Sequence, residues 1–189
     1  MIKFLTNLYP NDASLLSFLN ENIQRQRYHK KSHIVQPGQL PMNAWFVKKG
    51  IVVIHREIHN RLCVRDIATP GALIWLSGFF TEPVRSEWFL TPLADCELDI
   101  LHRDAYFKAT QFSGSQPLLH QLLQHHRQYQ DNIMDMLQLP RIKDRQKRFF
   151  DLKPEAANHI TNKILGAFLN VSPETLSRLK KKKRVIGGG

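Results

Sequence analysis

Cysteine is scarce in this chain, with only Cys63 and Cys96 among 189 residues. Two thiols exclude a disulfide-stapled scaffold and the Cys-rich clusters of structural zinc sites. Both stand in strand-like apolar runs, which predicts reduced core thiols. Long apolar runs are missing too. No window approaches the about 18 uninterrupted apolar residues that a membrane-spanning helix needs. Met1-Ile2-Lys3-Phe4-Leu5 has neither the apolar stretch nor the cleavage site of a secretory signal. A soluble, cytoplasmic protein without a membrane partner is expected. Catalytic signatures are absent: there is no G-x-S-x-G, Walker loop or H-E-x-x-H, and the acidic residues form no acid/base pair, so no enzyme is expected. His29 and His33 fall where a helix gives way to a strand, and His120, His125 and His126 share no helical face. No metal and no other cofactor is expected from them.

Acidic charge is in short supply. Against 27 Lys and Arg stand 16 Asp and Glu, a net charge of +11. The excess is local: residues 141–184 carry 13 Lys/Arg and 4 Asp/Glu, a net of +9, whereas residues 1–140 carry 14 and 12, a net of +2. A cationic module beside a nearly neutral one suits a polyanionic partner, with phosphate contacts and counterion release supplying non-specific affinity. Lys180-Lys181-Lys182-Lys183-Arg184 is either a solvated tail or the continuation of a helix that meets such a partner. With 42% hydrophobic residues the chain has enough apolar material for a real core.

What is present is most specific near the C-terminus, over Leu165-Gly166-Ala167-Phe168-Leu169-Asn170-Val171-Ser172-Pro173-Glu174-Thr175-Leu176-Ser177-Arg178-Leu179. Gly166 is small where two helices must cross closely, and Asn170 tolerates the left-handed conformation that a tight turn needs. Ser172 suits a helix N-cap and Pro173 the first helical position, so a second helix is predicted from about residue 172. Leu176 and Leu179 fall inward at i,i+3, while Glu174, Ser177, Arg178 and Lys181 point outward. The pattern fits a helix-turn-helix reading DNA, or a surface helical hairpin with a polar side.

Upstream, Asn11-Asp12 and the spacing of Leu15, Leu16, Phe18, Leu19 and Ile23 predict a capped helix over about 12–25. Short strand-like runs follow at Ser32–Val35, Trp45–Val47, Ile51–Ile58, Leu62–Ile67, Ala72–Leu76, Glu87–Leu90 and Glu97–Leu101. Pro37-Gly38, Lys49-Gly50, His59-Asn60 and Pro70-Gly71 punctuate them, the signature of a sandwich or barrel. From Pro117 the period changes, and Leu119, Leu122, His126, Tyr129, Ile133 and Met136 form a heptad stripe on a helix that Pro140 ends. By pattern alone the stripe either packs on the β domain or pairs with its twin across a dimer axis. A further helix is predicted over Lys143–Leu152.

These features together resemble the Crp/Fnr family of bacterial transcription regulators. Glu174-Thr175-Leu176-Ser177-Arg178 matches the family's helix-turn-helix outright, with Leu165, Phe168, Leu169 and Val171 as close substitutes. Arg148-Phe149-Phe150-Asp151-Leu152-Lys153-Pro154-Glu155 resembles the run that precedes it. The resemblance implies an α+β fold: a jelly-roll-like, cyclic-nucleotide-binding-like β-roll over 1–116, a dimerisation helix over 117–140, and a winged-helix-like DNA-binding domain over 141–189. The wing is expected to be curtailed, since only Arg184-Val185-Ile186-Gly187-Gly188-Gly189 follows the recognition helix. It further implies a homodimer on two-fold-related double-stranded DNA, with Ser172, Glu174, Thr175, Ser177, Arg178 and Lys181 at the interface.

Family members that bind cyclic AMP hold its ribose with the Glu of a Phe-Gly-Glu segment and its phosphate with an Arg. A buried phosphate needs that cation and the hydroxyl needs that acceptor. Here Arg85-Ser86 match the phosphate pair, unless Arg85 is a plain loop arginine. Apolar Leu73-Ile74-Trp75-Leu76 replaces the acidic segment, and Glu82 comes too late. Control by cyclic AMP is therefore not expected; an unknown small-molecule effector, or none, is. Two other functional readings stay open: a ligand-binding module with a degenerate DNA-binding domain, and a metal- or haem-dependent sensor.

Overall fold

The computed structural model describes the backbone of residues 1–186 and the side chains of residues 1–179. The side chains of Lys181 and of the run Lys180–Arg184, and residues 187–189, lie outside the described residues. Two short helices open the chain, α1 (Ile2–Leu8) and α2 (Ala13–Asn22). Asp12 caps α2, its Oδ1 accepting from Leu15 N at 2.9 Å, and its Oδ2 accepts from Gly114 N at 2.9 Å. The expected helix over 12–25 is thus shortened. At Ile23 the backbone turns extended and becomes β1 (Ile23–Tyr28), an edge strand that pairs with β7 (Cys96–His102).

The remaining strands are β2 (Asn43–Lys49), β3 (Val52–Ile58), β4 (Arg61–Ala68), β5 (Leu73–Ile74) and β6 (Phe89–Pro92). They form two antiparallel sheets, ordered β1-β7-β2-β5 and β4-β3-β6. The expected strand Ser32–Val35 is reduced to one bridge between Val35 and Leu90, and the expected Ala72–Leu76 shrinks to β5. Between the sheets lie Trp45, Val47, Val52, Ile54, Ile74, Leu76, Leu90, Leu98 and Ile100. Alternate residues of the same strands point away from this core. Phe46 joins α1, α2 and α3 (Arg103–Ala109), whereas Ile51, Val53 and Ile67 meet the C-terminal helices. Being covered on both faces explains why Ile51-Val52-Val53-Ile54 is apolar throughout rather than alternating. Gly50 is required where β3 begins: its φ is +88°, and a Cβ would lie 2.5 Å from Asp95 O and 2.6 Å from Cys96 Sγ. Cys96 is buried and Cys63 half-buried, both as free thiols.

α4 (Ser115–Gln138) is the long helix, with Pro117 tolerated in its first turn and Pro140 just beyond its end. Its apolar stripe meets other parts of the same chain. Leu119 and Leu122 close an apolar hollow with Leu5, Leu15 and Leu19; His126 lies on Trp75; Tyr129 bonds to Asp66; and Ile133 and Met136 enter the cluster under the C-terminal helices. The stripe is used within the chain. Leu123 and Met134, which flank the stripe, are 45% and 54% exposed.

After α4 come α5 (Ile142–Leu152), a 3-10 turn (Pro154–Asn158), α6 (Asn162–Leu169) and α7 (Pro173–Ile186). Residues 184–186, where a short wing or none is expected, continue α7.

Candidate functional site

The chemistry of α7 begins with the turn that launches it. α6 ends at Asn170, which adopts φ 55° and ψ 47°, and Val171 N returns to Gly166 O at 2.8 Å. Gly166 is there because nothing larger fits: a Cβ would stand 2.5 Å from the carbonyl oxygen of Val171. Ser172 Oγ then accepts from Thr175 N at 3.3 Å, a cap of the kind that contributes about 0.5–2 kcal/mol. Leu176, fully buried, plugs α7 onto Leu165, Phe168 and Leu169, which in turn pack on Phe149, Met136, Ile51, Val53 and Ile67. Arg145 fastens the same region, its Nε donating to Leu139 O at 2.6 Å and its Nη1 to Leu169 O at 3.4 Å. One side of α7 is locked, which leaves the other free.

On the free side Ser172, Glu174 and Arg178 are exposed, with Arg178 one helical turn beyond Glu174. Thr175 and Ser177 are half-buried, and the Thr175 hydroxyl lies 3.0 Å from Ser172 Oγ. Backbone hydrogen bonding at the helix start, the Ser172 hydroxyl and the Arg178 charge hold the Glu174 carboxyl below its usual range, so it stays ionised. Leu179, expected inward, is only half-buried and borders a groove with Phe150, Lys143 and Lys147. Arg141, Lys143, Lys147, Arg148 and Lys163 are exposed in the same helical region.

Arg85 and Ser86, the pair that matches the family's phosphate site, make their contacts within the neighbouring loops. Arg85 is exposed and donates through Nη1 to Gly38 O at 2.7 Å, while Ser86 is buried and spends its hydroxyl on the backbone of Trp88. They tie the 38–39 and 85–88 loops together. Two clefts lie on either side of Trp75. One of about 260 Å3 is lined by Thr69, Gly71, His125, Lys153 and others, and one of about 320 Å3 by Ile54, Arg65, Ile133 and Met134 among others. Asp66, Leu73, Trp75, His126 and Tyr129 line both, so they form the partition. Ile74 and Leu76 point into the β core, and Trp75 lies against His126 with ring centroids 4.2 Å apart. An indole and an imidazole occupy the ground between β-roll and helix.

This packing has a pH consequence. Burial lowers the pKa of His126, with Arg65 and His125 adding repulsion and Asp66 opposing. A depressed histidine is neutral in the fold, so its stability contribution is full above the ordinary value of 6.5 and is lost as pH falls through the lower folded value. A proton NMR titration is expected to give His126 a midpoint below 6.5, and the wild-type denaturation midpoint is expected to decline more steeply on acidification than that of His126→Gln. A His126 midpoint at or above 6.5 contradicts this.

Sequence reasoning missed the buried group at the junction of these parts. Lys153 is 2% exposed, and its Nζ donates to Ile67 O at 2.6 Å and Tyr129 Oη at 2.5 Å, with Asp66 Oδ1 at 3.4 Å. No local signal marks it, since its partners lie 24 to 87 residues away. The one cue is Pro154 behind it, which stops α5 and frees Lys153 from helical geometry.

No family model matches the chain, and no curated protein matches it in sequence. Solved structures do resemble it. The global regulator CLP of Xanthomonas campestris, described as c-di-GMP responsive, gives a TM-score of 0.69 at 22% identity over 93% of each chain. FixK2 of Bradyrhizobium japonicum gives 0.65 at 15% identity, covering 87% of this chain and 86% of that one. The sensor domain of the transcriptional regulator DNR from Pseudomonas aeruginosa gives 0.55 at 15%, covering 68% of this chain and 92% of that one. The likeness establishes the fold: a cyclic-nucleotide-binding-like β-roll with appended helices, of the kind found in transcription regulators.

Proposed function

We propose that this protein is a DNA-binding transcription regulator of the Crp/Fnr type, acting as a homodimer on a two-fold-related site and not controlled by cyclic AMP. The observation that carries the reading is α7 itself, capped and locked on one side by Leu176 while Ser172, Glu174 and Arg178 stand free on the other. In this reading residues 1–116 are a sensor-like β-roll, 117–140 a linker helix, and 141–189 a helix-turn-helix domain. Arg178 and Glu174 address base edges in the major groove, while Ser172, Thr175, Ser177 and Lys181 position α7 along phosphates. Lys143, Arg148 and Lys163 extend the positive field that draws the duplex in.

Selection of bound duplexes from fragmented genomic DNA tests the reading. The expected product is an inverted repeat whose half-sites are centred about 10–10.5 base pairs apart, one helical turn. Retention of DNA without any common sequence contradicts it.

Dimerisation in this reading uses α4, through the exposed apolar side chains Leu123 and Met134 that flank its stripe. Sedimentation at tens of micromolar is expected to give a dimer for the wild type and a monomer for Met134→Lys, which places a charge at an exposed position and leaves the core alone. A wild-type monomer, or an intact Met134→Lys dimer, rules that face out.

The effector claim rests on Leu73–Leu76. That segment offers no carboxylate to a ribose, and Trp75 fills the adjoining space, so calorimetry with cyclic AMP is expected to show no saturable heat in the micromolar range. Leaving ribose hydroxyls unpaired costs about 1–3 kcal/mol per group. Saturable micromolar binding of cyclic AMP defeats this claim. A cyclic dinucleotide belongs in the same titration, since one structural neighbour is described as responsive to it. Tight ligand binding together with no affinity for DNA favours the ligand-module reading.

A further inference from the structure

We propose that Lys153, Tyr129 and Asp66 form a latch that sets the angle of the DNA-binding helices on the β-roll, making Lys153 and Tyr129 positioning residues for DNA recognition. The inference rests on the DNA-binding reading above and concerns how that reading is made specific. Each member comes from a different part of the chain: Asp66 from β4, Tyr129 from the middle of α4, and Lys153 from the end of α5. Lys153 Nζ donates to Ile67 O at 2.6 Å and to Tyr129 Oη at 2.5 Å, and Asp66 Oδ1 stands at 3.4 Å. The Tyr129 hydroxyl donates its own proton to Asp66 Oδ1 at 2.6 Å, and Ile67 N donates to the same oxygen at 2.7 Å. The three ammonium protons therefore have three acceptors, and the phenol has one of each kind. Burial, reinforced by the Asp66 carboxylate, pushes the Tyr129 pKa far above its ordinary value, so the phenol remains a donor.

Apolar packing and this cluster do different things. Ile51, Val53 and Ile67 against Leu165, Phe168 and Phe149 hold the helices to the sheet through contacts that are not directional. An ammonium taken out of water tolerates little. Its partners must stand at one geometry, which selects a single register between the three parts. A dimer reading two half-sites needs that register, because the separation of its recognition helices follows from the angle of each domain on its own β-roll.

The test uses the full chain, a selected inverted repeat, single half-sites, and repeats lengthened by one or two base pairs. The wild type is expected to lose about tenfold or more in affinity on lengthening. Lys153→Met is expected to weaken binding to the correct repeat about tenfold, leave half-site affinity unchanged and flatten the dependence on spacing. Tyr129→Phe, which keeps the ring and removes only the hydroxyl, is expected to move the same way by less and covers the case in which Lys153→Met fails to fold. Tryptic nicking at Arg141, between α4 and α5, reads the latch without DNA. It is expected to quicken in both variants at temperatures well below their unfolding midpoints. Wild-type spacing dependence together with unchanged nicking in Tyr129→Phe overturns the latch. A wild type that binds no duplex overturns the DNA-binding reading instead, and the nicking rates then decide the latch alone.

Discussion

Phe149→Ala is expected to cost about 3–5 kcal/mol of folding stability, the range for truncating a fully buried aromatic. Phe149 has no exposed surface, meets Phe168 and Phe150 edge-on with ring centroids 5.6 and 5.1 Å away, and sits in the cluster that joins β3 and β4 to the C-terminal helices. Against a total of about 5–15 kcal/mol for a typical protein, that loss takes a large share. It also reports on cooperativity. All three tryptophans, Trp45, Trp75 and Trp88, precede α4. Because the cluster is shared between the sheet and the helices, urea unfolding followed by tryptophan fluorescence and by far-ultraviolet circular dichroism is expected to shift together. A tryptophan transition that stays at its wild-type midpoint contradicts a shared core.

Arg178→Ala is expected to reduce discrimination between the selected duplex and a scrambled one by about 1–3 kcal/mol, roughly 5- to 150-fold. The planar guanidinium matches a guanine edge with two parallel donors, and the exposed position of Arg178 one turn beyond ionised Glu174 sets the pair side by side. Lysines act differently. Replacing Lys181 is expected to weaken binding to all sequences alike and to flatten the salt dependence, since a phosphate contact contributes through counterion release. Equal losses on both duplexes for Arg178→Ala defeat the base-reading assignment.

The turn into α7 was legible in the sequence because its chemistry is local. Asn170 in the left-handed region, Ser172 as cap and Gly166 at the close approach each answer to a constraint set within six residues. Edge strand β1 was not, because four consecutive residues, Gln24–Arg27, are exposed and the run carries neither period. The heptad stripe on α4 shows the limit of periodicity. Spacing says which face of a helix is apolar, not whose surface covers it, and here parts of the β-roll and the C-terminal helices pack against it. At the cassette, the loss of a ribose acceptor was visible in Leu73–Leu76, but the contact of Trp75 with His126 depends on a residue 51 positions away. The Lys153 cluster lies beyond sequence reading for the same reason. A buried charge is recognisable only once its partners are in place.

Equilibrium titration of the purified protein with the selected duplex and its scrambled counterpart, at two salt concentrations, tests the regulator reading most directly. The account predicts saturable binding to the selected duplex about 10³-fold or more tighter than to the scrambled one, with both affinities falling as salt rises. Equal affinity for the two duplexes, or no binding to either at low salt, contradicts it.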